Sequence, residues 1–151
     1  MTAADTATRS VVVERELTHP PDRIWRALTL PHLIGEWLMT TTFEAEPGRR
    51  FTMSADWGRV DCEVREIEPN RSLSYSWDTK DLRSMVTWTL TPTARGTRLR
   101  MEQAGFRTDQ EPYFRGASVG WPRFLDAMER MLDGPNQDPG RSGPSDTEKQ
   151  A

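Results

Sequence analysis

The sequence predicts an α+β domain in which a curved antiparallel sheet of about six or seven strands is covered by a long C-terminal helix. Two observations predict it. Between residues 51 and 102, apolar residues alternate with polar ones in short runs separated by turn residues, as in an antiparallel meander buried on one side. Further on, apolar residues recur every three or four positions up to Gly134-Pro135, which is typical of an amphipathic helix followed by a stop signal.

The N-terminal part of the domain predicts one strand and two short helices. Residues 10–18 begin with a run of β-branched valines, which favours a strand. Prolines then stand where helices over residues 22–29 and 31–36 would begin, a position that tolerates proline because the missing N–H would have no partner there. The predicted order is therefore a strand, two short helices, a run of strands and a long helix.

The central part predicts five strands with one inward apolar face each. Turn residues separate them, for example Pro69-Asn70 and Ala94-Arg95-Gly96. The residues predicted to point inward are Phe51, Met53, Val60, Cys62, Val64, Leu73, Tyr75, Trp77, Val86, Trp88, Leu90, Leu99 and Met101.

The last predicted element is the helix that covers this face. Thr108 and Glu111 have the spacing of a capping box, which predicts that the helix begins there. Pro122 lies inside it, removes one helical hydrogen bond and crowds the carbonyl of Ser118, so we expect a kink or an irregular start. The predicted inward stripe is Phe114, Trp121, Leu125, Met128 and Leu132.

Composition sets the limits of the domain and excludes several functional classes. Residues 134–151 have no large apolar side chain and residues 1–8 are similar, so both ends are predicted to be disordered around a domain over residues 9–133. The net charge of -3 gives no electrostatic footprint for nucleic acid. Neither a signal peptide nor a membrane-spanning stretch is recognisable, which predicts a cytoplasmic protein without a membrane partner.

Three segments of the chain resemble a known family. Residues 12–37 contain PPDRIWRALTLPHLIGEW, residues 64–77 place a Pro-Asn turn before a strand ending in Trp77, and Gly120-Trp121 follows the Gly96 strand. In this order they are similar to the START-like (SRPBCC) superfamily of helix-grip proteins, and within it to the family named after the activator of the heat-shock-protein-90 ATPase. The resemblance implies a sheet that grips the long helix, with a ligand cavity between them.

Motifs for catalysis or metal binding are weak in this sequence. Gly116-Ala-Ser118-Val-Gly120 matches the G-x-S-x-G elbow, but no histidine follows it, so we interpret these small residues as a place where the helix crosses the sheet closely. His19 and His32 are interpreted as solvent-facing or capping residues. A single cysteine forms neither an internal disulfide nor a thiolate metal site. The sequence thus predicts no catalytic residue, no metal site and no cofactor.

The remaining signal is the set of inward aromatic and thioether side chains, which either fill a core or line an apolar ligand site. The leading hypothesis is a module that binds a small apolar or aromatic molecule. A co-chaperone-like domain, whose partner is a chaperone or a second copy of the chain, and a cavity-based enzyme that uses Tyr75 are the alternatives. The cavity candidates are Trp37, Met53, Trp57, Cys62, Tyr75, Trp77, Val86, Trp88, Met101, Trp121, Phe124, Leu125 and Met128.

Overall fold

The computed structural model describes residues 8–134. The predicted disordered ends lie outside the described residues, except that Thr8 begins the first strand and Gly134 follows the last helix. The elements in chain order are β1 (Thr8–Leu17), α1 (Pro21–Thr29), α2 (Pro31–Trp37), β2 (Thr40–Thr41), β3 (Arg50–Ala55), β4 (Gly58–Glu68), β5 (Ser72–Asp78), β6 (Arg83–Pro92), β7 (Thr97–Arg107) and α3 (Glu111–Leu132).

The strands form one seven-stranded antiparallel sheet in the order β1-β7-β6-β5-β4-β3-β2. Strands β2 to β7 follow one another as a meander, and β1 returns to pair with β7, where Val13 lies opposite Met101. The long helix α3 packs its Trp121, Leu125, Met128 and Leu132 into the core. This arrangement confirms the predicted α+β helix-grip fold.

The start of α3 differs from the prediction. The helix begins at Glu111 with Gln110 as its N-cap residue, and no side chain caps it, so the capping box from Thr108 is wrong. The Gln110 side chain accepts a hydrogen bond from the backbone N–H of Arg107 at 3.0 Å and donates one to the carbonyl of Asp81 at 2.7 Å. These bonds hold residues 108–110 in a turn, so the helix begins only after this turn, at Glu111.

Pro122 does not interrupt the helix, which runs unbroken through it, so the irregular start expected there is wrong. The side chain of Arg15, on β1, donates hydrogen bonds to the Pro122 carbonyl at 3.3 Å and to the Asp126 carboxylate at 2.8 Å. A second carboxylate, that of Glu129, lies 3.5 Å from the same guanidinium. These contacts fasten the middle of α3 to the first strand.

The core is continuous between the sheet and the helices, with two features that the sequence reasoning missed. Phe43, on the loop after β2, is 2% exposed, and its ring packs edge-on against Phe51 at a centroid distance of 4.9 Å. Strand β5 is buried on both faces, because its small Ser74 and Ser76 do not project beyond their neighbours in the middle of the sheet. The expectation that one face of every strand is exposed is therefore wrong for β5.

None of the helices within residues 8–134 combines the length and the apolar character needed to cross a membrane.

Candidate ligand cavity

An open cavity of about 480 Å³ lies between the N-terminal half of α3 and one end of the strands beneath it. The sheet side of its lining comes from the β3–β4 turn, the end of β5, the β5–β6 turn and β7. The lining residues are Trp57, Trp77, Thr79, Lys80, Leu82, Gln103, Phe106, Pro112, Tyr113, Gly116, Ala117, Gly120, Trp121 and Phe124. Most of this lining is aromatic or aliphatic, which is typical of sites for small apolar molecules.

Two glycines on α3 open the cavity on the helix side. A Cβ built on Gly116 would meet no atom within 4 Å, and one built on Gly120 would meet only the Phe124 ring, at 3.9 Å. The expectation that these small residues allow a close crossing of helix and sheet is therefore wrong. Their missing side chains leave space on the lining of the cavity instead.

Trp121 is the centre of an aromatic cluster at the inner end of the cavity. Its ring lies 5.2 Å from that of Trp77 and 5.5 Å from that of Phe124, and both partners also line the cavity. On the other side its ring meets Trp88 edge-on at 5.7 Å. Such tilted and edge-to-face pairs add stability beyond the area that they bury. The inner wall is therefore held by the core behind it.

A buried chain of hydrogen bonds runs along the sheet side of the cavity. The indole of Trp121 donates to Oε1 of Gln103 at 2.7 Å, and Nε2 of Gln103 donates to Oγ of Ser84 at 2.9 Å. Ser84 in turn donates to the carbonyl of Trp77 at 2.7 Å. Because an indole can only donate, the bond from Trp121 fixes which end of the Gln103 carboxamide is oxygen. The carboxamide nitrogen has two N–H groups, and Ser84 takes one of them.

The β5–β6 turn contributes the remaining polar groups of the mouth. Oγ1 of Thr79 is buried and has no hydrogen-bond partner among the described residues. Lys80, beside it, is exposed and forms no ion pair within residues 8–134. Across the mouth, the hydroxyl of Tyr113 lies 3.4 Å from the carboxylate of Asp81.

The structure divides the candidates from the sequence into two groups. Trp57, Trp77, Trp121 and Phe124 line the cavity, and Trp57 is 63% exposed at the tip of the β3–β4 hairpin. The others are buried in the core and do not line this cavity; they are Trp37, Met53, Cys62, Tyr75, Val86, Trp88, Met101, Leu125 and Met128.

Sequence reasoning missed the other lining residues, although two of them gave a signal. Gln103 continues the inward alternation of Leu99 and Met101, and a glutamine in an inward register requires a polar partner or a ligand. Gly116 lies on the helix that covers the sheet, where a glycine is less stable than an alanine. A glycine at such a position indicates that the absence of a side chain has a use. The residues of the β5–β6 turn gave no comparable signal, because turns are polar in most proteins.

Two buried groups that could carry chemistry lie apart from the cavity. Burial raises the pKa of the Tyr75 phenol well above its ordinary value, and the hydroxyl accepts a hydrogen bond from the indole of Trp88 at 3.0 Å. Burial, reinforced by the negative charges of Asp78 and Asp61, likewise raises the pKa of the Cys62 thiol. Both groups are therefore protonated at neutral pH, and neither faces the cavity.

The motif serine and one of the two histidines, His19, have structural partners, whereas His32 is exposed. Ser118 is exposed on α3 and donates to the carbonyl of Phe114 at 2.9 Å, one turn earlier. His19 is buried rather than solvent-facing. Its Nε2 lies 2.6 Å from the carboxylate of Asp133 at the end of α3. Within residues 8–134, no three histidine, cysteine or acidic side chains are grouped in a way that could hold a metal ion.

Comparison with known proteins identifies the family. Among solved structures, protein MLL2253 from Mesorhizobium loti is 56% identical, with a TM-score of 0.81 over 83% of this chain and 97% of that one. CalU16 from Micromonospora echinospora is 26% identical, with a TM-score of 0.73 over 85% of this chain and 79% of that one.

DynU16, from the dynemicin biosynthetic locus, is 24% identical and shares the fold, with a TM-score of 0.76 over 82% of this chain, which spans 47% of that protein. A search of curated proteins found no match. The model of the family described as activator of Hsp90 ATPase homolog 1-like protein matches residues 18–133. The chain therefore belongs to this family, within the START-like helix-grip superfamily.

Proposed function

We propose that this protein binds a small apolar molecule with an aromatic or polycyclic frame in the cavity between α3 and the ends of the β3–β4 and β5–β6 hairpins. The observation that carries the proposal is a preformed, mostly apolar cavity of about 480 Å³ beside the aromatic cluster of the core. Ligand sites in proteins are of this kind, with volumes of roughly 300–1,000 Å³ and few polar groups.

The way in which α3 is built supports the proposal. Gly116 and Gly120 lie one turn apart on the face of the helix that lines the cavity, and side chains at these positions would reduce its volume. Each glycine in a helix costs about 1 kcal/mol relative to alanine. A helix that needed only to cover the sheet would be more stable with alanine at Gly116, where a methyl group meets nothing.

The mouth of the cavity supports it as well. Trp57 and Tyr113 are among the few large apolar side chains that are exposed within residues 8–134, and both lie on the lining. Exposed aromatic rings that face one opening are more typical of a binding surface than of scattered surface residues. A flat aromatic ligand could cover these two rings while it contacts Trp121 further inside.

The experiment that tests the proposal fills the cavity without disturbing the fold. Gly116→Trp places an indole in open space on the lining, and Gly35→Trp is the matched control, because Gly35 is also an exposed helical glycine with no atom within 4 Å of an added Cβ. Isothermal titration with 2-naphthamide, a neutral aromatic probe, measures the dissociation constant of each variant.

We expect saturable binding to the wild type and to Gly35→Trp, and binding at least tenfold weaker to Gly116→Trp. Circular dichroism melting of both variants checks that the fold is kept. Equal affinity of all three proteins, or no binding of the probe to the wild type, would contradict the proposal.

A chaperone-directed role is the second candidate, because the description of the family names an activator of the Hsp90 ATPase. The exposed Trp57 and Tyr113 would be the contact surface in that case. A steady-state ATPase assay of an Hsp90-type chaperone, with this protein added in excess, tests the role. Stimulation by the wild type that is lost in Trp57→Ser would favour it, and an unchanged rate would count against it.

A further inference from the structure

We infer that the ligand of this cavity carries a carboxylate on its aromatic or polycyclic frame, and that Lys80 and Thr79 on the β5–β6 turn bind this group. The inference rests on the proposed function and adds to it the charge and the orientation of the ligand. It follows from how the polar groups are distributed over the lining.

The lining has an apolar wall and a polar corner. On the helix side, Pro112, Ala117 and Phe124 offer a ligand only carbon and ring faces. The polar side chains of the lining, apart from the tryptophan indoles, are Thr79, Lys80, Gln103 and Tyr113. Two of these four residues, Thr79 and Lys80, lie on the β5–β6 turn, so the polar end of a ligand would be directed towards this turn.

Two groups of the polar corner keep a hydrogen-bond donor that a ligand could use. Oε1 of Gln103 is occupied by the Trp121 indole, but its Nε2 has a second N–H beyond the one that Ser84 accepts. The hydroxyl of Thr79 has no partner among the described residues and, like any hydroxyl, can donate or accept. The hydroxyl of Tyr113 is directed at the Asp81 carboxylate, 3.4 Å away. A carboxylate, which only accepts hydrogen bonds, would therefore find two donors here besides the Lys80 ammonium group.

The lining itself carries one charge, which is positive, while the neighbouring carboxylate of Asp81 is directed at the Tyr113 hydroxyl. Lys80 is the only charged side chain on the lining and the only lysine in residues 8–134, and it forms no ion pair there. The other charges of this turn have protein partners. Asp78 accepts a hydrogen bond from the backbone of Ser84 at 3.4 Å, and Arg83 donates to the Thr79 carbonyl at 2.7 Å. An ammonium group beside free donors is complementary to a carboxylate.

The aromatic rings of the mouth could instead attract a cation. No carboxylate belongs to the lining, and Lys80 would repel a cation at the same opening. The charge of the ligand is therefore the quantity to measure, because the two alternatives differ in its sign.

Three naphthalene probes of matched size measure which ligand charge the cavity prefers. Of these, 2-naphthoate is anionic, 2-naphthamide is neutral and 2-naphthylmethylammonium is cationic. We expect wild-type protein to bind naphthoate about fivefold more tightly than naphthamide, and the ammonium most weakly, as for one partly exposed ion pair. Raising the salt concentration should reduce the difference.

Two variants of the corner and one control variant assign the preference for naphthoate to the corner. Lys80→Met should abolish the preference for naphthoate over naphthamide, whereas Arg95→Met, which deletes an exposed positive charge on the β6–β7 turn, should retain it. Thr79→Val should weaken naphthoate binding while Lys80 is still present.

The outcomes separate this inference from the function on which it rests. Naphthamide that binds as tightly as naphthoate, or a preference that survives in Lys80→Met, would overturn the carboxylate inference and leave ligand binding intact. Failure of all three probes to bind would overturn both.

Discussion

The indole N–H of Trp121 donates a hydrogen bond of 2.7 Å to Oε1 of Gln103, and this bond joins the long helix to β7 at the inner end of the cavity. Both side chains are buried, at 2% exposure each. The same bond positions the Trp121 ring against the aromatic cluster and orients the Gln103 carboxamide towards Ser84. This one polar contact therefore contributes both to the packing of the helix and to the shape of the cavity.

Breaking this contact should destabilise the fold. We expect Gln103→Leu and Trp121→Phe each to lower the free energy of unfolding by about 1–3 kcal/mol, because each leaves a buried polar group without its partner. The double variant should cost less than the sum of the two, since it removes both members of the pair. Urea denaturation of the four proteins measures the coupling, and strictly additive losses would mean that the bond contributes nothing.

The fold could be predicted from the sequence because its signals are local and repeated. Alternation along β6, where Val86, Trp88 and Leu90 point inward, is a direct consequence of the two-residue period of a strand. Strand β2 was not predicted, because its two residues, Thr40 and Thr41, are too few to show a period. The start of α3 was misplaced because the side-chain bonds of Gln110 bridge to a distant turn that the local sequence does not reveal.

The cavity could be predicted only in part. Inward-pointing aromatic residues were recognised, but whether a ring such as Trp88 fills the core or lines a space depends on how far α3 stands from the sheet. That distance is set by many contacts together. The space near Gly116 arises from an absent side chain, and the sequence predicted the opposite there, a close crossing.

Two glycines should respond to alanine in opposite directions. Gly116→Ala should raise the free energy of unfolding by about 0.5–1 kcal/mol, because an added methyl group meets no atom and the helix loses a flexible residue. Gly96→Ala should lower it, since a Cβ there would lie 2.2 Å from the backbone oxygen of Leu17. Chemical denaturation compares the two, and a destabilised Gly116→Ala would mean that the helix side of the cavity is closed.

The single cysteine should be inert in the folded protein. Burial raises the pKa of the Cys62 thiol, with smaller contributions from Asp78 and Asp61, so the reactive thiolate is scarce at neutral pH. We expect labelling by a disulfide reagent to be slow in buffer at pH 8 and to reach one thiol per chain in denaturant. Rapid labelling of the native protein would show that the interior of the sheet is open at this position.

The contact between β1 and the middle of α3 should contribute measurably to stability. Arg15→Met should lower the free energy of unfolding by about 1 kcal/mol, because the guanidinium donates to the Pro122 carbonyl and to the Asp126 carboxylate. Arg123→Met is the matched control, since Arg123 lies exposed on the same helix and has no ion pair within the described residues. Equal losses in the two variants would mean that these contacts add nothing specific.

The central claim is that ligands enter the cavity beside Trp121 and not the filled core around Trp37. The indole N–H resonances of the tryptophans, assigned with single Trp→Phe variants, test this claim during a titration with 2-naphthoate. We expect the signals of Trp57 and Trp121 to shift with one dissociation constant. The signal of Trp37, whose indole bonds to the Ala27 carbonyl at 2.8 Å in the core, should stay in place. Shifts confined to Trp37, or no shift at Trp57 and Trp121 at saturation, would contradict the account.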